Sequence, residues 1–115
     1  MKNIIIILVL FFSLISCKQK NEIKKITFIE LGSVKCKPCI RMQEVIKKVE
    51  RKYPNKVKTI FYDVWTKEGE PYAKKYNIDP IPTQVFLDKD GNEYYRHEGY
   101  FEFEDLEKVL LQKID

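Results

Sequence analysis

Residues 26–49 read ITFIELGSVKCKPCIRMQEVIKKV, and a change of period inside this stretch decides the fold. Ile26, Phe28 and Leu31, set among β-branched neighbours, predict a strand over Ile26 to Leu31. Gly32-Ser33 breaks it. Beyond the break Met42, Val45, Ile46 and Val49 fall at i, i+3, i+4 and i+7, the stripe of an amphipathic helix from Pro38 to about Tyr53. Pro38 suits the first turn of such a helix, where a missing N–H breaks no bond, and Pro54-Asn55 ends it. Cys36 and Cys39 therefore stand where a strand hands over to a helix.

Downstream, Val57 to Trp65 is rich in β-branched and aromatic residues and predicts a second strand. Pro71 to Tyr76 predicts a short helix with Asn77 as its stop. Asp79-Pro80-Ile81-Pro82-Thr83 interrupts any helix, and Gln84 to Leu87 gives a third strand. Asp88-Lys89-Asp90-Gly91 is a hairpin turn into a fourth strand over Glu93 to Glu98. Leu106, Val109 and Leu110 share one face of a closing helix from Phe103 to Ile114, with acids near its start and Lys113 in its last turn. The order β-α-β-α-β-β-α implies an α/β fold: a central four-stranded mixed sheet flanked by helices, with a right-handed parallel crossover and an antiparallel final hairpin.

The chain has 115 residues, room for one small domain. Its net charge of +4 is mild, and the lysines are interleaved with acids along the whole length. This pattern describes solvated faces and argues against a nucleic-acid partner.

Three cysteines leave one over from any pairing, and position sorts them. Cys17 ends an apolar leader, whereas Cys36 and Cys39 form a Cys-x-x-Cys pair. At a helix start a thiolate is stabilised by backbone N–H groups and by cations, here Lys35 and Lys37 on either side of Cys36. Cys36 would attack a substrate disulfide, and Cys39, one turn inside, would then attack Cys36 and leave an internal disulfide. Two other readings stay open at this point. The pair could be part of a metal site, although a structural zinc site usually needs four ligands and His97, on an edge strand, is the only histidine. It could also be inert. No metal and no cofactor beyond the Cys36–Cys39 disulfide itself is expected.

The leader has the plan of a secretory signal: Met1-Lys2-Asn3, an apolar run from Ile4 to Ile15, then Ser16. The run falls short of the roughly 20 apolar residues of a membrane span. Leu14-Ile15-Ser16-Cys17 resembles the bacterial lipobox. That resemblance implies a signal peptide over 1–16, cleavage before Cys17, and a lipid on the Cys17 thiol. Residues 17–25 would then be a lipidated N-terminus and tether, and 26–115 the folded domain. The bland alternative is an uncleaved anchor with a free Cys17.

From Ile26 to Ile114 the chain resembles a thioredoxin, on Cys36-Lys37-Pro38-Cys39, on Ile81-Pro82-Thr83, and on Gly91 and Gly99 in the terminal hairpin. The resemblance implies a thioredoxin fold with Pro82 cis beside the redox pair, and with the backbone of Ile81 pairing with an extended substrate segment. It also implies a role for Glu30, which stands where thioredoxins carry a buried acid that takes and returns the proton of the second cysteine. Burial raises a carboxyl pKa and makes it a usable acceptor near neutrality. The alternative is an exposed edge glutamate. Three positions depart from the family: Lys35 replaces a tryptophan, Phe61 replaces the lysine opposite the buried acid, and Glu44 replaces a helix proline.

These readings predict a monomeric, membrane-anchored, extracytoplasmic thiol–disulfide oxidoreductase, on the periplasmic face or the cell surface. It would reduce protein disulfides and be recharged by a membrane thiol-reductant donor protein. The rivals are an oxidase or isomerase of the same chemistry, and a non-catalytic binding module acting as metal chaperone or scaffold. The tyrosine-rich strand Tyr94-Tyr95-Arg96-His97 is expected to be an ordinary solvent face.

Overall fold

The computed structural model describes residues 24–114. The leader, Ser16 and Cys17 lie outside the described residues. Seven elements follow in order: β1 (Ile26–Gly32), α1 (Lys37–Lys52), β2 (Val57–Asp63), α2 (Glu70–Lys75), β3 (Thr83–Leu87), β4 (Glu93–Glu98) and α3 (Phe103–Leu111). The strands form one sheet in the order β2-β1-β3-β4, with β1 parallel to β2, antiparallel to β3, and β3 antiparallel to β4. This is the α/β mixed-sheet architecture expected from the sequence, with β1 at its centre.

Alternation along the strands assigns the two faces. Ile26 and Phe28 of β1, Val57 of β2 and Phe86 of β3 form one buried cluster with Met42, Val45, Ile46 and Val49 of α1 and Leu106, Val109 and Leu110 of α3. Ile29, Leu31 and Val85 face the other way, under Ile60, Tyr62, Tyr72 of α2 and Tyr76 at its C-terminal cap. Glu30 and Gly32 lie on the strand positions that continue the α1 face, as Gln84 does on β3.

Two element ends differ from expectation by more than one residue, each for a local reason. β2 stops at Asp63 rather than Trp65, because the Asp63 carboxylate accepts hydrogen bonds from the Trp65 and Val34 N–H groups and turns the chain. Trp65 is thereby left exposed. α3 stops at Leu111 rather than Ile114, as the chain tightens to i→i+3 bonds from Gln112 to Val109 and from Lys113 to Leu110. Ile114 still packs against the larger cluster. α2 begins at Glu70 and is closed where Asn77 adopts φ 50°, with Asn77 N–H donating to Lys74 and Ile78 N–H to Ala73, a Schellman closure.

Strand β4 is no plain solvent face. The Arg96 guanidinium donates to the Tyr76 and Asn77 carbonyls at the end of α2, and Tyr94 Oη donates to the Val109 carbonyl of α3. An alternating strand pattern does not reveal such ties, which depend on what lies across the sheet edge.

Candidate active site

Cys36 is the N-cap of α1. Its backbone is extended (φ −94°, ψ 120°), its carbonyl accepts the first helical bond from Ile40, and its Sγ accepts from the Cys39 N–H at 3.4 Å. A cap position normally filled by a hydroxyl or carboxylate oxygen is here filled by sulfur. The same N–H and helix dipole that satisfy the cap would stabilise negative charge on that sulfur. Pro38 lies in the first turn of α1. Cys36 and Cys39 form a disulfide with their Cα atoms 5.1 Å apart. Cys36 is slightly accessible at 8% and Cys39 is fully buried, so only one sulfur can meet a large partner first. Lys35 and Lys37 are exposed on either side.

The loop before α1 is held from β2. Asp63 Oδ2 accepts from the Val34 N–H, and the Lys35 N–H donates to the Ser33 hydroxyl. Burial pushes the Asp63 carboxyl up, but the Val34 and Trp65 N–H groups, the Ser33 hydroxyl and the Lys35 charge bring it below its usual range. Gly32 supplies the close approach behind the pair: a Cβ there would lie 3.0 Å from Cys39 Sγ and 3.1 Å from its Cβ.

The Ile81–Pro82 peptide is cis, with Ile81 half-buried and Pro82 buried. The Pro82 carbonyl accepts the Gly99 N–H at 2.7 Å, and Gly99 has φ 88°, a conformation few residues other than glycine adopt. Thr83 Oγ1 donates to the Pro80 carbonyl at 2.7 Å and helps fix the bend.

Glu30 is fully buried in the central strand and is no edge glutamate. Burial pushes its carboxyl up to about 8, while a hydrogen bond from Gln84 opposes the rise. Gln84 Nε2 donates to Glu30 Oε1 at 3.1 Å; Oε2 has no hydrogen-bond partner among the described residues. Opposite Glu30 on β2 stands Phe61, so no cation faces it from that strand position. A carboxyl held neutral at low pH and ionised near pH 8 can take a thiol proton in the physiological range.

The structure joins Cys36 to Cys39 and buries Glu30, while Gln84, which sequence reasoning did not single out, lies between Glu30 and His97. His97 Nδ1 lies 2.8 Å from Gln84 Oε1, and the imidazole stacks on Phe101 with ring centroids 3.9 Å apart. His97 is half-buried rather than simply exposed. The available signal was a glutamine inside an apolar strand, two residues beyond Pro82. Among the described residues no group of three or more His, Cys, Asp or Glu is placed to hold a metal ion, and no helix is long and apolar enough to cross a membrane.

Comparison with known proteins agrees with this geometry. A family profile described as a thioredoxin-like domain matches residues 10–114. Thioredoxin H5 of Arabidopsis thaliana is 29% identical over 81% of this chain and 75% of its own length. The chloroplastic thioredoxin-like protein HCF164 of Oryza sativa is 30% identical over 60% of this chain, and that match spans 26% of the longer relative. Among solved structures, the germline-specific thioredoxin Deadhead of Drosophila melanogaster has a TM-score of 0.69 at 22% identity, over 81% of this chain and 85% of that one. An exposed lipoprotein thioredoxin of Streptococcus pneumoniae has a TM-score of 0.67 at 15% identity, over 77% of this chain and 85% of that one, a likeness of fold alone. With a Cys-x-x-Cys disulfide capping the first helix of such a sheet, the chain belongs to the thioredoxin-like domain family and is a thiol–disulfide oxidoreductase.

Proposed function

We propose that this protein is a membrane-anchored reductase of protein disulfides, working outside the cytoplasm. The observation that carries the chemistry is the Cys36–Cys39 disulfide, with Cys36 at the cap of α1 and Cys39 behind it. In the reduced protein, Cys36 thiolate attacks a substrate disulfide, forms a mixed disulfide and expels one substrate thiolate. Cys39 then gives its proton to Glu30 and attacks Cys36 Sγ. The second substrate thiolate leaves and is protonated, and the Cys36–Cys39 disulfide is restored. Two electrons have passed from the pair to the substrate, and a donor dithiol must return them.

The supporting residues have separable roles. Lys35 and Lys37 favour the Cys36 thiolate by charge. Pro38 keeps the first turn of α1 rigid, and the backbone at Ile81, before Pro82, offers an edge to an extended substrate segment. The anchor is Cys17, lipidated after removal of 1–16, and residues 18–25 are the tether. The electron source is then a membrane protein that carries reducing equivalents across the bilayer, because the outside compartment is oxidising.

The direction of electron flow is tested by the reduction potential of the chain from Lys18 onward, equilibrated in glutathione buffers. A value near or below about −200 mV supports a reductase, and one near about −120 mV makes the protein an oxidase. Absence of reversible cycling would leave only a binding module. Cys36→Ser should abolish disulfide reduction. Loss of labelled fatty acid from a Cys17→Ser chain in bacterial cells, with the wild type labelled, tests the anchor separately.

A further inference from the structure

A row of polar side chains crosses three strands of an otherwise apolar layer. Glu30 on β1 is opposite Gln84 on β3, and Gln84 is opposite His97 on β4. The side chains connect in the same order, Glu30 Oε1 to Gln84 Nε2 at 3.1 Å and Gln84 Oε1 to His97 Nδ1 at 2.8 Å. Both Glu30 and Gln84 are fully buried, while His97 is half-buried on the edge strand. Burying an unmatched amide is costly, so each end of Gln84 needs its partner.

A glutamine amide is two-faced: it can offer either N–H or C=O to a neighbour. Its orientation beside Glu30 matters, because an N–H stabilises the ionised carboxylate whereas a C=O stabilises the protonated acid. Gln84 turns Oε1 toward the imidazole and Nε2 toward Glu30; an amide oxygen can only accept, so this orientation matches the His97 tautomer that carries its proton on Nδ1. The imidazole plane is itself held by its stack on the ring of Phe101, a buried residue whose backbone N–H donates to Met42 Sδ at 3.3 Å.

We propose that Gln84 and His97 are positioning residues for the buried acid: His97 orients the Gln84 amide, and Gln84 holds Glu30 by Oε1 in its proton-accepting form, leaving Oε2 free for the exchange. The proposal rests on the reading of Glu30 as the proton acceptor for Cys39.

Among the described residues, no other charged group is buried in this layer. Along β1 the flanking residues on the same face are Phe28 and Gly32, and Phe61 is the β2 residue opposite. The buried residues of α1 and α3 are Cys39 and apolar side chains. His97 is the one titratable group in the row besides Glu30 itself.

The test is the carboxyl carbon of Glu30, followed by NMR through a pH titration of the oxidised protein. Gln84→Leu removes the donor, and His97→Phe keeps a ring to stack on Phe101 but loses the Nδ1 proton. Both should move the Glu30 midpoint upward from about 8, by about one pH unit for Gln84→Leu. His97→Asn, whose amide nitrogen falls near the Nδ1 position, should bring it back. At pH 7 an upward shift of one unit lowers the ionised fraction, and with it resolution by Cys39, about tenfold. Alkylation of Cys36 in the reduced protein should proceed at the wild-type rate in all three. Should Gln84→Leu fail to fold, the His97 pair on the edge strand carries the test.

A Glu30 midpoint that does not move in the folded variants overturns the positioning proposal and leaves the acceptor reading standing. If Glu30→Gln resolves mixed disulfides as fast as wild type, the acceptor reading fails first and takes the proposal with it.

Discussion

The two faces of the central sheet are built to different standards. One is covered by α1 and α3 and closes a continuous buried layer, from Ile26 and Phe28 through Phe86 to Leu110. The other, among the described residues, carries only the short α2, and its fully packed members are Ile29, Leu31 and Val85 under half-buried tyrosines. Cys39, Glu30 and Gln84, the groups for which the proposed mechanism needs a dry setting, are all fully buried and belong to the thicker side. A carboxyl pKa can be held far from its usual value only where water is kept out. On the proposed mechanism the thick face therefore serves the chemistry as well as the stability, and the thin face serves mainly to close the sheet.

The largest effect that would separate the faces is Phe28→Ala. Phe28 is fully buried and stacks on Phe86 with centroids 5.2 Å apart, so its loss should cost about 3–5 kcal/mol in urea unfolding. Next in size is the pH dependence that Glu30 imposes on the oxidised protein. Its folded pKa lies above the 4.5 of an ordinary glutamate, at about 8, so the native state binds the proton more tightly than the unfolded chain. The stabilising proton is fully present below about pH 4.5 and is lost as pH rises to about 8, a cost on the order of a few kcal/mol by pH 9. Glu30→Gln should remove that slope in unfolding curves recorded from pH 5 to 9. An unchanged slope would place the titrating group elsewhere.

Gly32→Ala follows. Its methyl would stand 3.0 Å from Cys39 Sγ, against a buried residue tied by both helix and disulfide. About 1–3 kcal/mol should be lost, and the reactivity of the pair should change with it. Smallest is Tyr72→Ala on the thin face, where the ring stacks on Tyr62 at 3.6 Å but stays half-buried; about 1–1.5 kcal/mol is expected. A loss at Tyr72 equal to that at Phe28 would erase the contrast between the faces.

Much of this architecture is legible in the sequence because it rests on short-range signals. The helix stripe of Met42, Val45, Ile46 and Val49, the break at Gly32-Ser33 and the turn at Asp88–Gly91 each act within a few residues. Glu30 stands out for the same reason, as a lone charge in an apolar strand. What was not legible depends on register between distant strands. The Gln84–His97 contact exists because β3 and β4 pair across a hairpin with an irregularity at Phe86/Leu87, a shift the turn sequence does not announce. Trp65 reads as strand by propensity and is turned outward by Asp63, a tertiary effect that outweighs propensity.

The central claim is that the thick face supplies the redox pair with its proton acceptor. The most direct measurement is the rate at which Cys39 resolves a mixed disulfide on Cys36, followed from pH 5 to 10 in wild type and Glu30→Gln. The wild-type rate should rise through a transition near pH 8, and the variant should lack it and run about a hundredfold slower at pH 8. Superimposable profiles would mean that Cys39 loses its proton directly to solvent, and that the buried carboxyl has no part in the reaction.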